Sequence, residues 1–117
     1  MAYMLLIVEP RGQRGTRSEA EGRAVYAQMV GFAEELKSRG VLKAVESLVA
    51  DDRGARVSVR SGRSVTTDGP FSEAKEMVGG FFLLDVASRD EALAIAAQCP
   101  AAQWATVEVR ETGPCFA

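Results

Sequence analysis

The stretch that decides the fold is Phe81-Phe82-Leu83-Leu84-Asp85-Val86, together with the residues that follow it. This run is strongly apolar, as expected for a strand with at least one covered face. Ser88 follows, with Glu91 three residues later, and a hydroxyl and a carboxylate at that spacing form a capping box. The sequence therefore predicts a buried strand leading into a helix over residues 90–98, which Pro100 ends.

The N-terminal half of the chain repeats this order of strand and helix. Residues 3–8 form an apolar run that predicts a central strand, and the breaker-rich residues 10–15 predict a loop. Ser18 is placed to cap a helix that Arg39 and Gly40 close. Apolar residues recur inside this helix at steps of three and four and so share one face: Val25, Met29, Phe32, Ala33 and Leu36.

The middle of the chain predicts a third strand and a hairpin. Residues 42–50 are a strand candidate, and a turn follows at residues 51–54. Residues 55–60 alternate apolar and polar side chains, and residues 64–67 return as a short strand after a turn at 61–63.

The end of the chain completes the pattern. A helical turn is predicted over residues 73–77, broken by Gly79-Gly80, and a last strand over residues 104–109. The resulting order predicts the α+β class, a ferredoxin-like split βαβ with an inserted β-hairpin and two helices on one sheet face. The other face is too apolar to stay bare, so we expect a second copy of the chain or a ligand to cover it.

Composition limits the classes of function. The 117 residues, 47% of them hydrophobic, suit a single domain over residues 1–117 with a core of its own. The net charge of −2 and the lack of a basic run argue against nucleic acid as a partner. The apolar runs are too short to cross a bilayer, so we expect a cytoplasmic protein without a membrane partner. Histidine is absent, Cys99 and Cys115 are expected to be free thiols, and no cofactor or metal is predicted.

Several motifs resemble those of the YCII-related proteins, in particular the branch named for its DGPF motif. They are residues 4–7, the run Thr67-Asp68-Gly69-Pro70-Phe71-Ser72-Glu73-Ala74-Lys75-Glu76, residues 79–83 and residues 107–110. The resemblance spans nearly the whole chain. It implies a ferredoxin-like fold and a homodimer of the α+β-barrel kind, in which two sheets face each other.

The resemblance also implies what this chain lacks. Members of the wider family are proposed to use a histidine in the first helix and an aspartate before the proline that ends the second helix. Gln28 and Cys99 stand at those places here. An amide has no useful proton affinity near neutral pH, and a thiol is not a carboxylate, so this dyad cannot form.

The loop at Asp68 is the candidate site. Asp68 is the candidate catalytic acid or base, and the alternative is that its carboxylate caps the turn by accepting backbone N–H groups after Pro70. Phe71 either lines a pocket or anchors the loop to the core, and Lys75 either binds an anion or is solvated. Glu9 and Glu108 carry carboxylates at the ends of strands, and an alternative role for them is to bind a hard cation together with Asp68. The predicted ligand-binding residues are Asp68, Gly69, Pro70, Phe71, Lys75 and Met29.

Three functions remain open at this point. The first is a homodimer that binds a small molecule without catalysis, with a regulatory role. The second is a lyase, isomerase or hydrolase on a small organic substrate, with Asp68 as the acid or base and its pKa raised by burial. The third is a protein-interaction module connected with transcription regulation.

Overall fold

A computed structural model describes residues 2–117. Its helices and strands follow the chain in the order β1 (Ala2–Pro10), α1 (Glu19–Ser38), β2 (Leu42–Ser47), β3 (Ala55–Arg60), β4 (Arg63–Asp68), β5 (Glu76–Asp85), α2 (Arg89–Gln98) and β6 (Thr106–Glu111). Short 3-10 turns lie at Gln13–Thr16, Asp51–Arg53 and Pro100–Gln103. Neither helix in this part of the chain combines the length and the apolar character that crossing a membrane requires.

The main sheet confirms the predicted α+β class. Its four strands lie in the order β2-β5-β1-β6, and every neighbouring pair is antiparallel. Strands β1 and β5, each of which leads into a helix, are therefore the two central strands, as in a ferredoxin-like fold. Strands β3 and β4 form a separate two-stranded hairpin, inserted between β2 and β5.

The core lies between one face of this sheet and the two helices. Leu5 of β1 is paired with Phe82 of β5 and with Val109 of β6, so alternate residues of the three strands share that face. Phe32 and Leu36 of α1 pack onto it, and the rings of Phe32 and Phe82 meet edge to face at 5.4 Å. Each large apolar side chain buried here stabilises the fold by about 1.5–3 kcal/mol.

Both helices begin at capped serines. The Ser18 hydroxyl accepts the Glu21 N–H at 3.1 Å, and the Glu21 carboxylate accepts the Ser18 N–H at 2.8 Å, which completes a capping box. At α2 the Ser88 hydroxyl accepts the Glu91 N–H at 3.2 Å, but Glu91 accepts the N–H of Ala87. The capping box predicted at α2 is therefore only half present.

The prediction of a helical turn over residues 73–77, broken by two glycines, is wrong. Strand β5 begins at Glu76 and runs through Gly79 and Gly80. The glycines allow close approach of neighbours: a Cβ atom on Gly80 would lie 2.7 Å from the Glu46 carbonyl oxygen of β2. The pairing of β1 with β5 also shifts register between Ile7 and Val8, opposite this pair, as at a β-bulge.

The face of the sheet away from the helices is apolar. Three cross-strand pairs of β1 and β5 line it, namely Met4 with Leu83, Leu6 with Phe81 and Val8 with Val78. The helices in residues 2–117 pack on the opposite face. We call these six residues the open face. The molecule is flat, with extents of 47 × 42 × 19 Å and a radius of gyration of 16.0 Å, against about 13 Å for a compact domain of similar length.

Candidate functional site

A cleft of about 980 Å³ opens between α1 and the helix-facing side of the sheet. It exists because α1 buries only Phe32 and Leu36 among its 20 residues. Val25 and Met29 belong to the same apolar stripe and lie about two turns and one turn before Phe32, but they remain partly exposed. The first half of the helix therefore stands off the sheet, and its apolar face becomes one wall of the cleft.

The walls of the cleft are mainly apolar. The strands contribute Ile7, Val45 and Phe82, which also belong to the core or pack against it. Helix α1 contributes Val25 and Met29 from the other side. A concave, mostly apolar space of this volume lies in the usual range for sites that bind small molecules.

A buried ion pair lies at the end of the cleft near the start of α1. The Glu9 carboxylate is 3% exposed and accepts two hydrogen bonds from Arg14, at 3.0 Å from Nε and 2.7 Å from Nη2. Gly79 makes room for it, since a Cβ atom there would lie 1.8 Å from Glu9 Oε1. Both hydrogen bonds fix the guanidinium on one edge, and Nη1 of Arg14 has no hydrogen-bond partner within residues 2–117.

A second guanidinium lies at the same end of the cleft. Arg17 is placed over the ring of Trp104, 4.7 Å from its centroid, and both residues line the cleft. Arg17 forms no salt bridge with a carboxylate in the described part of the chain. The nearby Glu21 has a lowered pKa, mainly because of its capping hydrogen bonds with Ser18, with a smaller effect of the Arg17 charge.

Two buried polar atoms beside this end have no hydrogen-bond partner within residues 2–117. They are Nε1 of Trp104 and Oε1 of Gln13. The Gln13 side chain is held in place by its amide group, whose Nε2 donates to the Trp104 carbonyl oxygen at 2.6 Å. The polar groups of Gln13, Arg17 and Trp104 thus gather where the loop after β1 meets the segment before β6.

The Asp68 loop lies elsewhere and is anchored by a different carboxylate. The Asp51 carboxylate accepts the Phe71 N–H at 3.4 Å and forms a bidentate ion pair with the Arg11 guanidinium. The hydrogen bonds from Arg11 are the main reason that the pKa of Asp51 is lowered. Asp68 is exposed, and its carboxylate makes no hydrogen bond within residues 2–117. The turn-capping role considered for Asp68 is therefore filled by Asp51.

The other loop residues have structural neighbours. Gly69 donates its N–H to the Gly54 carbonyl at 2.9 Å, and a Cβ atom on Gly69 would lie 1.8 Å from the Asp51 carbonyl oxygen. Pro70 follows a cis peptide bond and is exposed. The half-buried Phe71 ring packs under Arg56, whose guanidinium carbon is 3.8 Å from the ring centroid. Lys75 is exposed, and its carbonyl oxygen accepts the Arg11 N–H at 2.9 Å.

The structure thus separates the residues that were grouped as one binding site. Met29 lines the cleft, whereas the residues at positions 68–71 and Lys75 do not. Asp68 is exposed, so the burial on which its catalytic role was predicted is not present. Glu9 and Glu108 lie on opposite faces of the sheet, because Glu9 faces the helices and Glu108 pairs with Leu6 on the open face. Within residues 2–117 there is no cluster of three side chains that could bind a metal ion.

The positions of the family dyad are also apart from the cleft lining. Gln28 is exposed on α1, and Cys99 is buried at the end of α2, where burial raises the pKa of its thiol. Sequence reasoning missed Glu9, Arg14, Arg17 and Trp104 as one group. The glycine at position 79 was the available signal, since a strand glycine marks a place where another group approaches closely.

Comparison with known proteins gives a family. The family model for the YCII-related domain matches residues 1–114. An uncharacterized protein of Rhizobium meliloti (strain 1021) is 32% identical over 93 residues, which is 80% of this chain and 75% of that protein. This chain therefore belongs to the YCII-related family.

Proposed function

We propose that this protein is a homodimer that binds a small organic molecule without transforming it, and that its role is regulatory. The observation that carries the proposal is the cleft of about 980 Å³ between α1 and the sheet. Its mainly apolar walls, with a cluster of polar groups near the start of α1, are the arrangement with which proteins bind and orient small ligands. The Asp68-Gly69-Pro70-Phe71 motif also supports placing the chain in the DGPF branch of its family.

The chemistry of the cleft favours binding over catalysis. General acid–base catalysis needs a group that exchanges a proton near the working pH. The Glu9 carboxylate, which is buried in the cleft, already accepts two hydrogen bonds from Arg14. Histidine, the usual proton carrier near neutral pH, is absent from the sequence.

The open face supports the homodimer. Its three apolar cross-strand pairs would be covered if the same face of a second copy packed against it about a two-fold axis. An isolated two-stranded hairpin is only marginally stable, so the projecting β3–β4 pair is also expected to gain support from the partner. The dimer would then be the α+β barrel that the sequence predicts, with the cleft on its outer, helical side.

A thermal-shift screen of metabolites tests ligand binding. A compound that binds only the native state raises the unfolding midpoint, and one present at about 100 times its Kd adds about 2.7 kcal/mol. We expect hits on the natural protein that disappear in Ala33→Phe, where the new ring fills the cleft. Ala27→Phe, on an exposed part of α1 outside the cleft lining, should keep them. Hits that survive Ala33→Phe unchanged would contradict the proposed location.

One observation favours a second candidate, the protein-interaction module. Val57 and Val59 share one face of the hairpin and are 66% and 61% exposed. Replacing both with glutamate separates the two uses of this face. If the dimer dissociates, the valines belong to the contact between copies. If the dimer persists, the hairpin is available to another protein.

A further inference from the structure

We propose that the ligand of the cleft is a small organic monocarboxylate, whose carboxylate group is bound by Arg17 and by the free edge of Arg14. This inference rests on the proposed function, because it names the ligand class of the same cleft. It depends on three features of the described residues: the pairing of charges, the position of Trp104 and the apolar walls.

The charges at this end of the cleft leave one cation without a partner. Arg14 is neutralised by Glu9, and Arg23 is paired with Glu19 at 2.9 Å. Arg17 has no such partner within residues 2–117. Lys37, the other cation in the lining, lies near the far end of α1, about 27 Å from the start of the helix at Glu19 at a rise of 1.5 Å per residue. Glu21 lies near Arg17 but forms no salt bridge with it, so the Arg17 guanidinium has no direct carboxylate partner within residues 2–117.

Trp104 fixes the orientation of the Arg17 guanidinium. The ring centroid lies 4.7 Å from the guanidinium carbon, and the planar guanidinium group carries all its N–H donors in its own plane. Those in-plane donors are suited to the two oxygens of a carboxylate. Nη1 of Arg14, turned away from Glu9, is a further donor at the same end.

The apolar walls define the rest of the ligand. Val25 and Met29 face Phe82 across the space next to the charged end. Burial of hydrocarbon against these side chains contributes free energy in proportion to the area removed from water. A second negative charge on the ligand would enter this apolar region without a partner, which disfavours dicarboxylates. The combination therefore selects an apolar or aromatic body with a single acidic group.

The test uses the only tryptophan of the chain, Trp104, as the reporter of binding. Its fluorescence is followed during titration with benzoate and with benzamide, which has the same ring and similar shape but no charge. We expect benzoate to bind at least roughly tenfold more tightly, since a charge-assisted hydrogen bond is about twice as strong as a neutral one.

Variants locate the carboxylate. Arg17→Gln should reduce the benzoate preference to about none, and Arg17→Lys should restore part of it because the charge returns without the two-pronged geometry. Arg23→Gln is the matched control, since Arg23 also lines the cleft but is exposed and paired with Glu19. It should keep the full preference. An equal loss in both glutamine variants would overturn the assignment to Arg17.

The outcomes for the two levels of the proposal are distinct. Equal affinity of the natural protein for benzoate and benzamide overturns the monocarboxylate inference and leaves binding in the cleft intact. Two further pairs, phenylacetate and hexanoate with their amides, are titrated in the same way. If none of the three acids and none of the three amides binds, the proposed function of the cleft is overturned as well. A clear preference for the acid that Arg17→Gln removes supports both.

Discussion

Gly79 and Gly69 lack a side chain and so leave room for an oxygen atom of another residue. At Gly79 that oxygen belongs to the Glu9 carboxylate, and at Gly69 it is the carbonyl oxygen of Asp51. A Cβ atom at either position would lie 1.8 Å from the oxygen. Gly79 thereby permits the ion pair that forms the polar end of the cleft. Gly69 permits the loop after β4 to pack onto the 3-10 turn at Asp51–Arg53.

Gly79→Ala is expected to destabilise the fold by about 1–3 kcal/mol, because the Glu9 carboxylate must move and lose hydrogen bonds while still buried. Gly22→Ala is the control, since a Cβ atom there meets nothing within 4 Å and alanine favours a helix by about 1 kcal/mol over glycine. Urea unfolding measures both free energies. Equal stability of the two variants would contradict the role given to Gly79.

The Arg11–Asp51 pair is expected to make stability fall in acid. Because the pKa of Asp51 is lowered in the fold, its contribution is complete above the ordinary aspartate pKa of about 3.9 and is lost as pH falls through the lower folded value. Asp51→Asn should lower stability at pH 7 and make its further loss on acidification smaller. Asp52→Asn, at an exposed neighbour, should leave the pH profile unchanged. Unfolding midpoints between about pH 7 and pH 2 measure this window.

Asp51, and not the predicted Asp68, accepts the N–H of the loop, which shows the limit of prediction from a sequence motif. The local sequence predicts a turn at residues 68–71, whereas the structure has a bend at Gly69 and its turn at residues 72–73. Which carboxylate accepts the loop N–H depends on a tertiary contact across 20 residues of chain. The spacing of residues within the motif carries no information on that contact, so Asp51 and Arg11 could not be found from it.

At the scale of elements, helix α1 shows a similar limit. Periodicity correctly predicted the face that carries Val25, Met29, Phe32 and Leu36, but only the last two are buried. A repeat of three and four residues reports direction around the helix axis and not distance from the sheet. The cleft follows from that distance, so the sequence alone did not predict it.

The hairpin was easier to predict, because its signals are local. Alternation over residues 55–60 and a turn near Gly62 predicted β3 and β4, and both are present. Ser61 and Gly62 have φ angles of 51° and 75°, as in the type I′ turns that suit the twist of a hairpin. Strand β5 was predicted too short, since its glycines were interpreted as a break.

Removal of the α1 cap tests how far the start of this helix depends on it. Ser18→Ala is expected to cost about 1 kcal/mol, because the Glu21 N–H loses its acceptor. The loss should appear in thermal unfolding and as faster amide exchange in the first turn of α1. Ser72→Ala, at an exposed serine in the loop after β4, should stay within about 0.5 kcal/mol of the natural protein. An unchanged first turn in Ser18→Ala would contradict the capping role.

At the scale of the whole molecule, the flat shape and the open face argue for a second copy. Sedimentation at micromolar concentration should give twice the chain mass of 12.5 kDa. Leu6→Glu places a charge in the centre of the open face, beside Phe81 and Glu108, and should yield monomers. Leu93→Glu, on the exposed side of α2, should remain dimeric. Circular dichroism checks that both variants fold, and a folded natural monomer would contradict the dimer.

The most direct test of the central claim, that the cleft is the ligand site, is a map of backbone and indole amide shifts by NMR during titration with benzoate. The account predicts the largest changes at Met29, at residues 79–82 and at the indole N–H of Trp104. The amides of residues 69–75 should change little. Changes concentrated in that loop, with the cleft unaffected, would contradict the account.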